Sequence, residues 1–185
     1  EILRCLVGSE MCIRDRLLQS GNDCAAAIAE HISGSQEAFA ELMNTEAKQL
    51  GATGTHFVNP HGLHDENHYT TTYDLYLMFN EALKDQAFLD IISMNSYTAK
   101  VTSADGTSYT PTWQATNYYS AGEATPPDGI HVYGGKTGTT DQAGNCVILY
   151  EKNTAGEPYI SVIMGASDKP LLYEEMNELL DAGMK

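Results

Sequence analysis

The sequence predicts an α+β domain, in which a helical subdomain comes first and antiparallel strands packed by a C-terminal helix come last. Helical patterns run to about residue 92, and the later apolar runs are short and close together in the chain. Two of these runs, at about 145–151 and 158–165, are separated by the turn-forming residues 153–156. Helices followed by neighbouring strands are typical of α+β domains, whereas α/β domains alternate the two.

Each helix is predicted from its composition and its ends. Residues 24–31 are strong helix formers, and Gly34 ends the helix that they predict. Ser35 is a predicted N-cap for a second helix, which Gly51 ends, and Thr72 begins a third. The other predicted elements are a loop over 53–69, a short helix near 87–92, an irregular hairpin over 97–119, a strand over 132–140 and a last helix over 169–182.

Length and charge limit the function classes. A chain of 185 residues suits one domain or part of a larger one. Its formal net charge of −15 argues against nucleic-acid binding, because there is no basic surface to meet phosphates. No apolar run approaches the length of a membrane span.

The first sixteen residues differ from the rest of the chain. They hold all three arginines and two of the four cysteines, namely Arg4, Arg14, Arg16, Cys5 and Cys12. They carry three basic and three acidic residues, so residues 17–185 carry the whole imbalance, 7 − 22 = −15. The segment resembles translated sequencing-adapter sequence. We predict that residues 1–16 are non-native and that 17–185 form the domain, with a genuine N-terminal arm as the alternative.

The segment 134–140 (GGKTGTT) is the strongest candidate for a binding site. As part of a strand, it places Lys136, Gly138 and Thr140 on one face and Thr137 and Thr139 on the other. Glycines within a strand mark a bulge or a close approach of another molecule to the backbone. A lysine and hydroxyl groups beside such a backbone suit an anion, most simply a carboxylate.

Two other interpretations of this segment are possible. A phosphate-binding loop needs Gly-x-x-x-x-Gly-Lys-Thr before a helix, but Ile130 holds its first position and a strand pattern follows. That interpretation fails. A glycine-rich hairpin with an exposed lysine remains open for Lys-Thr-Gly alone.

A second motif, Ser20-Gly21-Asn22, opens the first predicted helix. Ser-x-Asn followed much later by Lys-Thr-Gly makes up two thirds of the penicillin-recognising serine enzyme signature. Both Ser20 and Asn22 are also common helix caps, which is the alternative role.

The chain from about Leu17 onward resembles the serine-type D-alanyl-D-alanine carboxypeptidases, which are low-molecular-mass penicillin-binding proteins. The segments that carry the resemblance are 20–23 (SGND), 57–63 (FVNPHGL), 68–71 (HYTT), 74–75 (DL), 128–130 (DGI) and 135–138 (GKTG). The resemblance implies a partial β-lactamase/transpeptidase-like domain. It also implies an exported, cell-envelope enzyme that trims the terminal D-alanine from peptidoglycan pentapeptides through an acyl-serine intermediate and reacts with β-lactams.

The resemblance assigns roles to residues of both motifs. Ser20 would pass a proton to the leaving amine, and Asn22 would hold the substrate's backbone amide. Lys136 and the hydroxyls of Thr137 and Thr139 would bind the terminal carboxylate beside Gly138. The backbone N–H of Thr139 would join an oxyanion hole. No cofactor is implied, and membrane anchoring would need sequence beyond the C-terminus of this chain.

The third motif of the signature, Ser-x-x-Lys, does not occur, because no lysine of the chain has a serine three residues before it. In the family this motif precedes Ser-x-Asn, so we expect an N-terminally truncated domain that is inactive alone. The alternatives are a serine β-lactamase of similar fold, disfavoured because residues 17–185 contain no Glu-x-x-x-Asn, and a catalytically dead cell-wall-binding homologue.

Four of the six histidines lie within thirteen residues, at positions 56, 61, 64 and 68. Such a cluster suggests zinc. However, the segment is rich in turn residues, and His61 and His68 belong to segments shared with the metal-free family. We therefore predict a solvated loop without a metal.

Overall fold

A computed structural model describes residues 9–102 and 106–183. Its helices are α1 (Ser9–Gln19), α2 (Asn22–Ser33), α3 (Gln36–Gln49), α4 (Thr72–Ala82), α5 (Gln86–Ile92), α6 (Tyr118–Ala121) and α7 (Lys169–Gly183). Its strands are β1 (Ser96–Thr98), β2 (Val101–Thr102), β3 (Ser108–Tyr109), β4 (Thr112–Gln114), β5 (His131–Thr140), β6 (Gly144–Lys152) and β7 (Pro158–Ala166). The predicted α+β class is confirmed.

Strands β5, β6 and β7 form an antiparallel sheet in that order. Lys136 of β5 lies opposite Ile148 of β6, and a bulge interrupts the β5–β6 register between Val132 and Gly134. The predicted strands are therefore present, with bounds within a residue or so of the expected ones. Within the described residues no strand pairs with the other side of β5, so this strand forms an edge of the sheet.

Helix α7 covers one face of the sheet. Val147 and Leu149 of β6 point towards it and are 2% and 0% exposed. They meet residues that recur on one side of α7, namely Leu172, Tyr173, Met176 and Leu180. Burying an apolar side chain of this size contributes about 1.5–3 kcal/mol, so this interface holds the strands in place.

Helices α4 and α5 cover the opposite face. Ile148 points away from Val147 and Leu149, because successive side chains of a strand alternate between faces. It packs with Phe79 of α4 and Ile92 of α5. Strand β6 is thus buried on both faces, and on this second face α4 packs against β7 and α5 against β5.

The helix ends follow the predicted chemistry. Gly34 ends α2 with a φ of 80°, and Ser35 Oγ accepts from Ala38 N at 3.1 Å at the start of α3. Thr71 Oγ1 accepts from Asp74 N at 3.1 Å, so α4 begins at Thr72 as expected.

The predicted irregular hairpin consists of two short antiparallel ladders, β1 with β4 and β2 with β3. Asp105, in its predicted turn, lies outside the described residues. The hairpin ends before residue 119, because Asn117 Oδ1 accepts from Tyr119 N at 3.1 Å and begins α6. This four-residue helix is too short to leave a periodic pattern in the sequence. None of the helices that the structure describes is long and apolar enough to cross a membrane.

Candidate active site

Ser20 lies in a tight turn between α1 and α2 and has a φ of 60°, the only positive value among the described residues other than glycine. The left-handed region costs an ordinary residue about 1–2 kcal/mol, so surrounding contacts must hold this turn. Helix α2 begins at Asn22 with Gly21 as its N-cap, and no side chain caps it. The Ser20 side chain therefore does not cap this helix, which is the alternative role that the sequence allows.

The Ser20 hydroxyl instead contacts strand β5, 116 residues away in sequence. The ammonium group of Lys136 donates a hydrogen bond to Ser20 Oγ and another, of 2.7 Å, to its neighbour's carbonyl, Thr137 O. The two motifs therefore meet in one place. Lys136 is not the exposed lysine of a simple glycine-rich hairpin.

The burial of Lys136 changes its proton affinity. Loss of solvent around the ammonium group, and to a smaller extent repulsion from Arg16, lowers the pKa of Lys136 to about 8. Most Lys136 side chains are still protonated at pH 7. The site thus holds a poorly solvated cation, which an incoming anion can stabilise.

The glycines of β5 have different surroundings. A Cβ at Gly134 would lie 2.0 Å from Ile92 O, and one at Gly135 would lie 2.1 Å from Ile148 O, so neighbouring backbone excludes side chains there. At Gly138 a Cβ would meet nothing within 4 Å among the described residues. The backbone beyond Lys136 is therefore open to another molecule.

The threonines of the motif point to different partners. Thr137 Oγ1 donates to Thr116 Oγ1 at 2.7 Å, and Thr139 Oγ1 donates to Asn145 Oδ1 at 3.3 Å. Asn145 is buried and donates to Ala166 O at 3.3 Å. No pattern in the sequence indicated Thr116, which lies in the loop between β4 and α6.

Arg16 also contacts the Ser20 turn. Its guanidinium donates to Ser20 O at 3.3 Å, to Asn22 Oδ1 at 3.3 Å and to His61 O at 2.9 Å. Burial lowers the pKa of Arg16 from its usual value. Arg16 belongs to the segment 1–16, and the non-native origin of that segment stays a prediction. Asn22 is exposed beside the turn.

Three of the four histidines in the 53–69 segment contact backbone groups through their rings. His56 Nδ1 lies 2.6 Å from Asn67 O, and His68 Nδ1 accepts from Val58 N at 3.2 Å. His61 Nδ1 accepts from Leu63 N at 3.2 Å. Within the described residues, the group whose ligand atoms lie close enough to share a metal ion is a different one, Asp15, Asp23 and Cys24.

Two curated relatives align with almost all of the chain. The D-alanyl-D-alanine carboxypeptidase DacF of Bacillus subtilis is 32% identical over 178 residues, which cover 94% of this chain and 43% of the relative. The carboxypeptidase DacA of Haemophilus influenzae is also 32% identical, over 92% of this chain and 40% of the relative. The chain therefore spans less than half the length of these two relatives.

Solved structures share the fold. The Streptomyces K15 DD-transpeptidase superposes with a TM-score of 0.87 at 25% identity, over 96% of this chain and 68% of that one. The carboxypeptidase DacD of Francisella tularensis gives a TM-score of 0.81, over 97% of this chain and 52% of its own. The sequence model of the D-alanyl-D-alanine carboxypeptidases, peptidase family S11, matches residues 7–168. The chain belongs to this family.

Proposed function

We propose that the protein containing this chain is a serine-type D-Ala-D-Ala carboxypeptidase, which removes the terminal D-alanine of peptidoglycan pentapeptides through an acyl-serine intermediate. The observation that carries the proposal is the contact between the Lys136 ammonium group and Ser20 Oγ. This contact places a cation, which can hold a carboxylate, next to a hydroxyl group, which can transfer a proton.

The edge of β5 supports binding of a peptide. An extended peptide adds to a sheet edge through main-chain hydrogen bonds, and specificity comes from pockets for its side chains or its terminus. The open space at Gly138 lets such a peptide approach the backbone closely. A stem peptide lying along this edge would bring its last carboxylate to Lys136.

The side-chain roles in this proposal are those that the family resemblance implies. Lys136 would bind the terminal carboxylate with the hydroxyls of Thr137 and Thr139, and the Thr139 N–H would stabilise the oxyanion of the tetrahedral intermediate. Ser20 would pass a proton to the leaving D-alanine amine, and Asn22 would hold the substrate's amide.

The covalent step would need the nucleophilic serine of a Ser-x-x-Lys segment, which the 185 residues do not contain. In this proposal that serine attacks the penultimate D-alanine carbonyl and D-alanine leaves as its amine takes a proton. Water then hydrolyses the acyl-serine. β-Lactams would acylate the same serine. The protein would act outside the cytoplasm, on the cell wall.

The test compares two substrates in the full-length protein. An N-acylated tripeptide ending in D-Ala-D-Ala is offered as the free acid and as the C-terminal amide, and D-alanine or D-alaninamide release is measured. Lys136→Ala should lower kcat/KM for the acid about 10–100-fold more than for the amide, because a charge-assisted hydrogen bond contributes about 1.5–3 kcal/mol.

Lys152→Ala is a matched control. Lys152 lies on the same sheet with its ammonium group 4.9 Å from the centre of the Tyr133 ring, and its removal costs the same charge. This variant should lower kcat/KM slightly and by the same factor for both substrates. Equal losses of kcat/KM with Lys136→Ala on acid and amide would contradict the carboxylate role.

Other outcomes would indicate the alternative functions. Rapid penicillin turnover by the full-length protein would indicate the β-lactamase, and peptide binding without D-alanine release would indicate the wall-binding homologue.

A further inference from the structure

The loop between β4 and α6 reaches the Lys-Thr-Gly strand through one hydroxyl. Thr137 Oγ1 donates to Thr116 Oγ1 at 2.7 Å, in a half-buried position next to Lys136. A hydroxyl has one hydrogen to donate and can also accept. While Thr137 donates to Thr116, the Thr137 hydrogen is directed away from any anion that lies along β5.

Thr116 is held in place on both sides. Ala115 N donates to Asn95 O at 2.9 Å, which ties the loop to the end of α5 and the start of β1. Asn117 is 2% exposed and begins α6. With both neighbours anchored, the Thr116 hydroxyl presents a fixed partner to Thr137.

An anion at Thr137 can reverse the direction of the pair. After a small rotation of the Thr116 side chain and of both hydroxyl hydrogens, Thr116 donates to Thr137 Oγ1, and Thr137 then donates to the ligand. In this reversed arrangement the Thr137 oxygen accepts one hydrogen bond as its own hydrogen points to the carboxylate. Hydrogen bonds in such a chain polarise and strengthen one another.

We propose that Thr116 is a positioning residue for carboxylate recognition, and that it acts by orienting the Thr137 hydroxyl towards the substrate's terminal carboxylate. The inference rests on the proposed function. It adds a loop outside the three sequence motifs to the determinants of specificity. A purely structural Thr116 would anchor the loop to β5 and would affect all substrates alike.

The experiment uses Thr116→Val, Thr116→Ser and Thr116→Ala in the full-length protein, with the acid and amide tripeptides. Thr116→Val should raise KM for the acid about three- to tenfold, the effect of one hydrogen bond, with kcat within about twofold of wild type. KM for the amide should stay unchanged. Thr116→Ser should have the wild-type KM for the acid, because it keeps the hydroxyl. Thr116→Ala also lacks the hydroxyl and should raise KM for the acid as Thr116→Val does, so it replaces Thr116→Val if that variant folds poorly.

Two further variants sharpen the result. Thr98 and Thr112 form a similar hydroxyl pair, at 2.8 Å, on the exposed part of the same hairpin. Thr112→Val should leave KM unchanged for both substrates. In a Thr137→Val background, Thr116→Val should add no further increase, because the group through which it acts is gone.

Equal effects of Thr116→Val on acid and amide, or no rescue by Ser, would overturn the inference. If Lys136→Ala discriminates between the substrates and Thr116→Val does not, the proposed function stands and this inference alone fails. If neither variant discriminates, the carboxylate slot and this inference fail together.

Discussion

Strand β5 and the Ser20 turn reach the same site by different physical means. Strand β5 is ten residues long and is bonded along its length to β6, so many equivalent contacts set its geometry. Ser20 is a single residue at a φ of 60°, and its conformation depends on contacts with distant groups. The comparison teaches that the sheet supports the edge strand β5, whereas the Ser20 hydroxyl, to which we assign proton transfer as a proposal, is held in a strained turn by its neighbours.

The largest expected effect tests the support of β5. Gly134→Ala should lower the free energy of unfolding by more than about 3 kcal/mol, because the new Cβ would meet the backbone at Ile92, which cannot rotate away. Gly138→Ala is the control, and its free energy of unfolding should stay within about 1 kcal/mol of the wild-type value, because its surroundings are open. Denaturant unfolding of both variants provides the measurement. Similar stabilities would show that β5 does not depend on this close approach.

The second effect concerns the pKa of Glu151, a buried carboxyl group of the sheet. Glu151 of β6 is 1% exposed, its Oε1 accepts from Ser161 Oγ at 2.6 Å, and its Oε2 has no partner among the described residues. Burial raises the pKa of Glu151 from 4.5 to about 7. The folded state therefore binds the proton more tightly than the unfolded state, and stability falls as pH rises between 4.5 and 7.

This loss should amount to about 3 kcal/mol, at 1.36 kcal/mol for each pKa unit. Glu151→Gln keeps an oxygen for Ser161 and removes the titration, so its unfolding free energy should change less over this range. Ser161→Ala should steepen the fall, because the Ser161 hydrogen bond favours the ionised carboxylate. Denaturant unfolding at pH 5 and pH 8 measures both. A wild-type slope as flat as that of Glu151→Gln would contradict a buried neutral carboxyl group.

The smallest effect tests the strain at Ser20. Ser20→Gly should be about 1 kcal/mol more stable than Ser20→Ala, because glycine adopts a positive φ without a Cβ clash. Both variants lose the same hydroxyl, so the difference between their unfolding free energies isolates the backbone. If the alanine variant is as stable as the glycine variant, residue 20 does not adopt a strained, positive φ.

The parts of the structure that follow local rules could be predicted from the sequence. Short apolar runs separated by turn residues located β6 and β7, the glycine-rich segment before them located β5, and cap residues such as Ser35 located helix ends. The ordered motifs predicted that Ser20 and Lys136 belong to one site, and the structure brings them into contact. The strands and helix ends are predicted from a few neighbouring residues, and the shared site is predicted from the resemblance of whole segments to a family.

The remaining features depend on tertiary contacts. The motif Ser-x-Asn does not predict the positive φ of Ser20, since it also suits a helix cap. Thr116 leaves no signal in the sequence, because the fold brings it to Thr137, 21 residues away. The composition of residues 1–16 suggests a non-native segment and gives no role to Arg16. Its contacts with the Ser20 turn are visible only once α1 packs beside α2.

The most direct test of the account is a double-mutant cycle between Ser20 and Lys136, measured as kcat/KM for D-alanine release by the full-length protein. Ser20→Ala should lower the rate about 10²–10⁴-fold, as expected for lost proton transfer, and Lys136→Ala about 10–100-fold. If the two groups form one site, the loss in the double variant should be at least about threefold smaller than the product of the two single losses, because residues in contact are coupled. A double variant whose loss equals the product of the two single losses would contradict a shared site.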